Sequence, residues 1–442
     1  MNTSRKRVRS RAIAVFAAVG ALATYMVLAA VPAAAVVSCA VTGSSPNQTM
    51  TVTMDADADA VTLAVDGAAI EWNTNACTPA ATTAGVSAIV VNADTLAQVE
   101  AQTVTIDGSG GSFTASIAIN LGDGADVVNV NDTMPADAVS ADLGAGSDDF
   151  NTTSAAGPVT VTGGVGNDTV DGGTGDDTVN AGDGDDTVNG AAGNDTVNAG
   201  AGANTVNGGG GNDGVTSGGD GDTVAGGDGN DTVDAGDGGN SVAGDDGDDM
   251  LTTGAGDDVV DGGDGDDTVF AGAGSDDLTG STDRDALWGE GDDDSLDGGG
   301  GNDTLAPGEG DDDVTGDSGK DTISFADATA PVDVDLSDGF ASTGSDDDTI
   351  ALDVENVLGS DFVDTVRGTG RNNDIRTGKG GDAVRAAGGD DDVSGGGGRD
   401  SLRGGDGDDD LFGQGGADAL YGGPGTDLCK GGKGADTTNG CE

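Results

Sequence analysis

Gly163–Gly190 reads GGVGNDTVDGGTGDDTVNAGDGDDTVNG. A Val recurs every ninth residue here, at Val170, Val179 and Val188, and an aspartate stands two places before each, at Asp168, Asp177 and Asp186. Nearly everything between is Gly, Asp, Asn or Thr. Such a stretch cannot build an ordinary hydrophobic core, so its period has to carry the fold.

The period extends far in both directions. Steps of nine from Asp168 reach Asp321, and sixteen of those eighteen positions are Asp; the exceptions are Asn204 and Asn240. Two residues beyond every one of them stands Val, Leu or Ile, from Val170 to Ile323. Gly usually occupies the places two, four and five before the aspartate. The unit is G-G-x-G-x-D-x-U-x, with U apolar. A second block keeps the same step from Asp364 through Asn373 to Asp436, with Val366, Ile375, Val384, Val393, Leu402, Leu411 and Leu420 as its apolar series. That series ends in Cys429 and Thr438. Asp321 and Asp364 are 43 residues apart, which is not a multiple of nine, so there are two arrays with a break between them.

Nine residues are too few for a helical repeat. D-T-V-N and D-D-V-S are short strand material, and the Gly-rich runs are turns. Each unit therefore predicts a six-residue loop and a three-residue strand. Two units make one coil of an all-β, parallel β-roll, with a strand on each side and U pointing inwards. Gly supplies the φ > 0 conformations and close backbone approaches that such a loop needs. The aspartates suit Ca²⁺, which takes six to eight oxygens from carboxylates and backbone carbonyls. The candidate metal ligands are Asp168, Asp177, Asp186, Asp195, Asp213, Asp222, Asp231, Asp249, Asp258, Asp267, Asp276, Asp303, Asp312 and Asp321 in the first array. In the second they are Asp382, Asp391, Asp400, Asp409, Asp418 and Asp427. Asn204, Asn240 and Asn373 are expected to be weaker half-sites. Two U residues per coil bury too little surface to offset the ordering of eighteen residues of backbone, so calcium binding and folding are expected to be one event.

The repeat resembles the RTX, or haemolysin-type, calcium-binding nonapeptide, over about Gly163–Glu442. The resemblance implies a β-roll with calcium ions between consecutive GGxGxD loops. The stretch from Pro331 to Ser360 also looks like the spacer such proteins carry between arrays. Two features depart from many members: a leader stands at the N-terminus, and no long apolar helical region is present outside it. In this the chain looks more like Sec-exported, calcium-binding versions from high-GC Gram-positive bacteria.

Composition agrees with a charged solenoid. Gly makes up 85 of 442 residues and aromatic residues 3%; there are 16 basic and 81 acidic residues and no His. Five of the basic residues lie before residue 36 and none lies between Ala12 and Asp283. A body this acidic repels nucleic acid and anionic lipid and attracts cations. Residues 1–35 read as a signal peptide: Arg5, Lys6, Arg7, Arg9 and Arg11, then an apolar run, then Ala33-Ala34-Ala35 after Pro32. Cleavage would leave no membrane insertion and a secreted, extracellular chain; an uncleaved anchor, or acylation at Cys39, are the alternatives. The cysteines form two local pairs, Cys39 with Cys77 and Cys429 with Cys441, as disulfides in an exported chain. Residues 36–160 alternate as strands do and are read as a β-rich cap before the first array at 161–325. Within them Asn120–Val128 and Asp142–Phe150 look like diverged rungs. The spacer covers 326–362 and the second array 363–442.

The sequence argues against an enzyme. Without His there is no Ser-His-Asp triad or HExxH site. Acidic residues are so abundant that carboxylate pairs carry no information. The function expected is that of a secreted calcium-binding protein. The alternatives are a calcium-dependent adhesin or matrix protein with a cell-surface or polysaccharide partner and, with less support, a secreted hydrolase bearing the repeats.

Overall fold

The computed structural model describes residues 23–27, 38–44, 47–54, 60–66, 69–72, 75–76, 86–92, 101–107, 115–131, 139–152 and 157–442. The described elements are all strands, and no helix long and apolar enough to cross a membrane occurs among them. The fold is a parallel β-solenoid. The chain falls into two units, residues 1–196 and 197–442.

In the first unit, the region expected to be a cap is built from coils. One sheet stacks Asn47–Thr53, Val86–Asn92, Ser116–Asn120, Val139–Ala145, Val159–Val165 and Thr178–Asp183 in parallel. The other stacks Ala60–Asp66, Thr103–Asp107, Val127–Asn131, Asp149–Thr152, Thr169–Asp171 and Thr187–Ala192. In the second sheet Val104, Val128, Phe150, Val170 and Val188 lie in register, so the coil shortens from 24 to 22, 20 and then 18 residues. At the start, Ser38–Ser44 pairs antiparallel with Asn47–Thr53, and Ala23–Val27, from the apolar leader run, pairs antiparallel with Ser38–Ser44. The basic stretch, the cleavage site and Cys77 lie outside the described residues, as do the side chain of Cys39 and hence the expected Cys39–Cys77 pairing.

Up to Ile323 the second unit keeps the 18-residue coil strictly. Val224, Val242, Val260, Leu278, Leu296 and Val314 lie in register down one sheet. Val215, Val233, Leu251, Val269, Leu287, Leu305 and Ile323 do so down the other. All are buried, at most 3% exposed. Two columns of one apolar residue per strand thus form the core, as the position of U predicts. Some strands keep the three residues expected, as Gly214–Thr216 and Ser295–Asp297 do, and others are longer: Thr223–Asp228 and Val259–Asp264 each run for six. Pairing continues because a second inward position follows U after one residue. That place mostly holds Gly or another small residue, as at Ala235 and Ala271, both 0% exposed.

The break between the arrays stays inside the solenoid. One sheet passes directly from Thr322–Ser324 to Asn356–Leu358. The other inserts a meander, Asp346–Ile350, Phe340–Thr343 and Val332–Asp335, whose two turns reverse the chain before Thr365–Arg367 resumes the parallel order. Trp288 stacks on Phe270 on the outside of a sheet, with ring centroids 4.7 Å apart.

Candidate metal centre

The three glycines of the motif have separate causes. In the loop before Asp231, Gly227 and Gly229 have φ of 113° and 123°, where an L side chain is strained. The first glycine is needed for space instead. A Cβ on Gly262 would stand 2.5 Å from Oδ2 of Asp267 and 3.0 Å from the carbonyl oxygen of Gly280 in the next coil. The carboxylate of each repeat therefore folds back over the start of its own loop and faces the following loop.

All twenty candidate aspartates are buried at this one loop position. They form ladders with an 18-residue step. Oδ1 accepts the main-chain N–H of the ladder residue one coil earlier: Asp168 to Asp186 at 2.7 Å, Asp213 to Asp231 at 2.7 Å, Asp249 to Asp267 at 2.8 Å, Asp391 to Asp409 at 3.0 Å. Oδ2 is left buried with no hydrogen-bond partner in Asp168, Asp177, Asp231, Asp249, Asp267, Asp303 and Asp321, and again in Asp382 through Asp427.

What that oxygen faces is visible where the ladder residue is Asn. There the amide Nδ2, at the corresponding place, donates to main-chain carbonyls. Asn204 reaches Gly202 and Ser217 at 3.0 and 3.1 Å, and Asn240 reaches Gly236 and Gly238 at 3.0 and 3.1 Å. An aspartate at this place sets an anionic oxygen among carbonyl oxygens, an arrangement that a proton or a cation has to relieve. Burial pushes the carboxyls of Asp231 and Asp267 up to about 7 and those of Asp285 and Asp294 to about 8. The amide hydrogen bond opposes this, and neighbouring ladder carboxylates add to it. Carboxylates with carbonyl oxygens beside them are the donor set of Ca²⁺, so the residues present fit that ion. Among the described residues no three Asp, Glu or Cys side chains gather into a cage, so carbonyl oxygens would have to complete each shell.

Residues outside the candidate set share the geometry. Asp285 and Asp294 keep the spacing and the buried Oδ2, although GSTDRDAL and GEGDDDSL have lost glycines around them. Asp126 and Asp148 take the same position, with Oδ1 accepting from Gln102 and Asp126, each at 2.6 Å. They obey D-x-U but not the nine-residue count, because their coils are longer. In the spacer Asp348 accepts from Asp312 at 3.4 Å; its signal is Asp348-Thr349-Ile350. At Asn204 and Asn240, expected to be weaker half-sites, Nδ2 already has main-chain partners. Arginines of the second array pair with acids, which relieves repulsion there: Arg367 with Asp335 at 3.1 Å, Arg371 with Glu355 at 2.5 Å, Arg376 with Asp374 at 2.8 Å. Cys429 and Cys441 sit at disulfide distance, with Cα atoms 5.7 Å apart, across the last coil.

A parallel solenoid whose loops present rows of buried carboxylates beside backbone carbonyls has the build of a calcium-binding β-roll. The family model of the RTX calcium-binding nonapeptide repeat matches in overlapping stretches from 162–197 to 270–305, at 308–324, and from 358–393 to 403–438, and the chain belongs to that family. No curated protein matches the chain.

Proposed function

We propose that the chain is an exported calcium-binding protein without a catalytic centre, whose β-roll forms when it meets extracellular calcium. The observation that carries this reading is the ladder of buried Oδ2 atoms turned towards carbonyl oxygens. A bound divalent ion supplies the positive charge such oxygens require. The chain's own residues do the rest. The inward U column sets the coil spacing, the ladder amides fix each carboxylate through Oδ1, and the loop glycines keep room beside Oδ2. Extracellular calcium modules bind at roughly 10⁻⁴–10⁻³ M, which suits folding after export. The N-terminal leader and the Cys429–Cys441 geometry support export.

The test is far-UV circular dichroism of the purified protein during a calcium titration, with magnesium as control. A cooperative coil-to-β transition with calcium alone is expected. Full β structure in excess chelator would end the reading.

A second reading, a calcium-dependent adhesin, is favoured by one cleft. Trp288, Phe325, Glu290, Glu309, Asp327 and Asp346 line a cavity of about 420 Å³ under the spacer. An indole beside carboxylates suits a hydroxyl-rich saccharide better than an anionic one. Calcium-dependent retention on cell-wall polysaccharide that is lost in Trp288→Ala would support it; retention independent of calcium and Trp288 would count against it.

A further inference from the structure

Two of the three ladder asparagines do more than interrupt the carboxylates. Asn240 keeps the structural half of the rung, accepting the N–H of Asp222 on Oδ1 at 2.9 Å, while its Nδ2 donates to two carbonyls of its own loop. Asn204 bridges its own loop and the next coil, through Gly202 and Ser217. In the second array Asn373 is turned the other way: its Oδ1 accepts the N–H of Thr369 in its own loop at 2.8 Å, and its Nδ2 donates to the carbonyl of Glu355 in the preceding coil at 2.5 Å. None of the three side chains has a buried atom without a partner, whereas the aspartates on either side of Asn240, Asp222 and Asp258, each do. Nδ2 and Oδ2 differ little in size and place, but one brings hydrogens to the carbonyls and the other brings charge. A cation at an asparagine rung would have to displace two hydrogen bonds and would gain no carboxylate from that residue.

We propose that Asn204 and Asn240 are calcium-free rungs in which the side-chain amide takes the place of the ion. The choice between Asp and Asn then sets, coil by coil, where the roll depends on calcium. This rests on the calcium reading above. It makes an unusual demand: at an ordinary rung Asn is a structural replacement for Asp plus its ion, and Ala is not.

Bound calcium is counted by equilibrium dialysis, and folding is followed by circular dichroism, for wild type, Asn240→Asp, Asp231→Asn and Asp231→Ala. Asn240→Asp is expected to bind about one ion more and to need more calcium to fold. Asp231→Asn is expected to bind about one ion fewer while folding at no higher calcium than wild type. Asp231→Ala is expected to lose the ion and also to shift its folding midpoint to higher calcium, because its loop carbonyls and the Asp213 amide lose their partner. Equal counts in wild type and Asn240→Asp, or a midpoint for Asp231→Asn as high as that of Asp231→Ala, would overturn the proposal. If Asn240→Asp does not fold even in calcium, the two Asp231 variants decide. A wild-type protein that binds no calcium removes the calcium reading itself; one that binds calcium with all counts equal removes only this inference.

Discussion

Residues 197–324 carry two loop rows made from the same nine-residue unit, and the rows differ. One runs Asp213, Asp231, Asp249, Asp267, Asp285, Asp303 and Asp321, without exception, and Gly stands five places before each. The other runs Asn204, Asp222, Asn240, Asp258, Asp276, Asp294 and Asp312, and the same place holds Ala199, Ser217, Ala235, Thr253, Ala271, Gly289 and Pro307. Ser217 and Thr253 use the space: their hydroxyls donate to the carbonyls of Ala235 and Ala271 in the next coil, at 3.1 and 2.7 Å. The first row concentrates charge beside bare backbone. The second dilutes it with internal donors. The true repeat is therefore the eighteen-residue coil, and its two loops are under different chemical constraints.

The largest effect expected is loss of β structure on chelation, and it should be unequal between the rows. Asp267→Ala, between Asp249 and Asp285, should raise the calcium midpoint more than Asp258→Ala, which lies beside Asn240 and keeps the Thr253 donor. Titration of both by circular dichroism checks this; equal midpoints would mean the rows are equivalent. In the core, Leu287→Ala, which truncates a side chain 0% exposed between Val269 and Leu305, should cost about 2–4 kcal/mol in calcium, read from denaturant unfolding.

Acidity should act oppositely with and without the ion. Burial raises Asp285 and Asp294 from 3.8 to about 8, Asp231 and Asp267 to about 7, and Asp276 to about 6. Without calcium the folded ladder thus holds protons more tightly than the unfolded chain. That stabilisation is complete below the ordinary 3.8 and is lost as pH rises through about 6 to 8. In chelator, β content should be greater at pH 5 than at pH 8. In limiting calcium the order should reverse, because protons compete for the same oxygens. A chelated protein with no pH dependence would show that the ladder carboxylates do not limit folding.

Smaller changes sharpen the contrast between rows. Gly226→Ala would place a Cβ 2.5 Å from Asp231 Oδ2 and 2.8 Å from the Gly244 carbonyl, and should cost about 1–2 kcal/mol of stability in calcium, whereas Ala235→Gly should cost about 1 kcal/mol at most. Smallest is Asp283→Gly. Asp283 has φ of 68°, so Gly should stabilise the loop by up to about 1 kcal/mol in thermal unfolding.

Most of this architecture is legible in the sequence because its chemistry recurs at a fixed interval. The U residues read directly as the core: Val224 and Leu287 point inwards wherever the period holds. The ladder aspartates read as ligands for the same reason. Asp126 and Asp148 are harder to read because their coils have 24, 22 and 20 residues and no fixed step leads to them. Asp285 and Asp294 lose flanking glycines while keeping the position, which shows that the burial of the carboxylate, rather than the glycine count, defines a rung. Ser281, Asp283, Glu290 and Asp292 take the φ > 0 conformations there with side chains of their own.

The sequence by itself determined the nine-residue period, the inward U position, the loop chemistry and the break between arrays, since each is a local preference repeated until chance is excluded. Only the tertiary structure decided that two units close a coil with unlike edges. It alone shows that the first glycine is kept for a carboxylate oxygen from its own loop, and that an asparagine amide lands on carbonyls where its aspartate neighbours present charge. Those facts depend on which atoms meet across eighteen residues, and no local preference encodes that meeting.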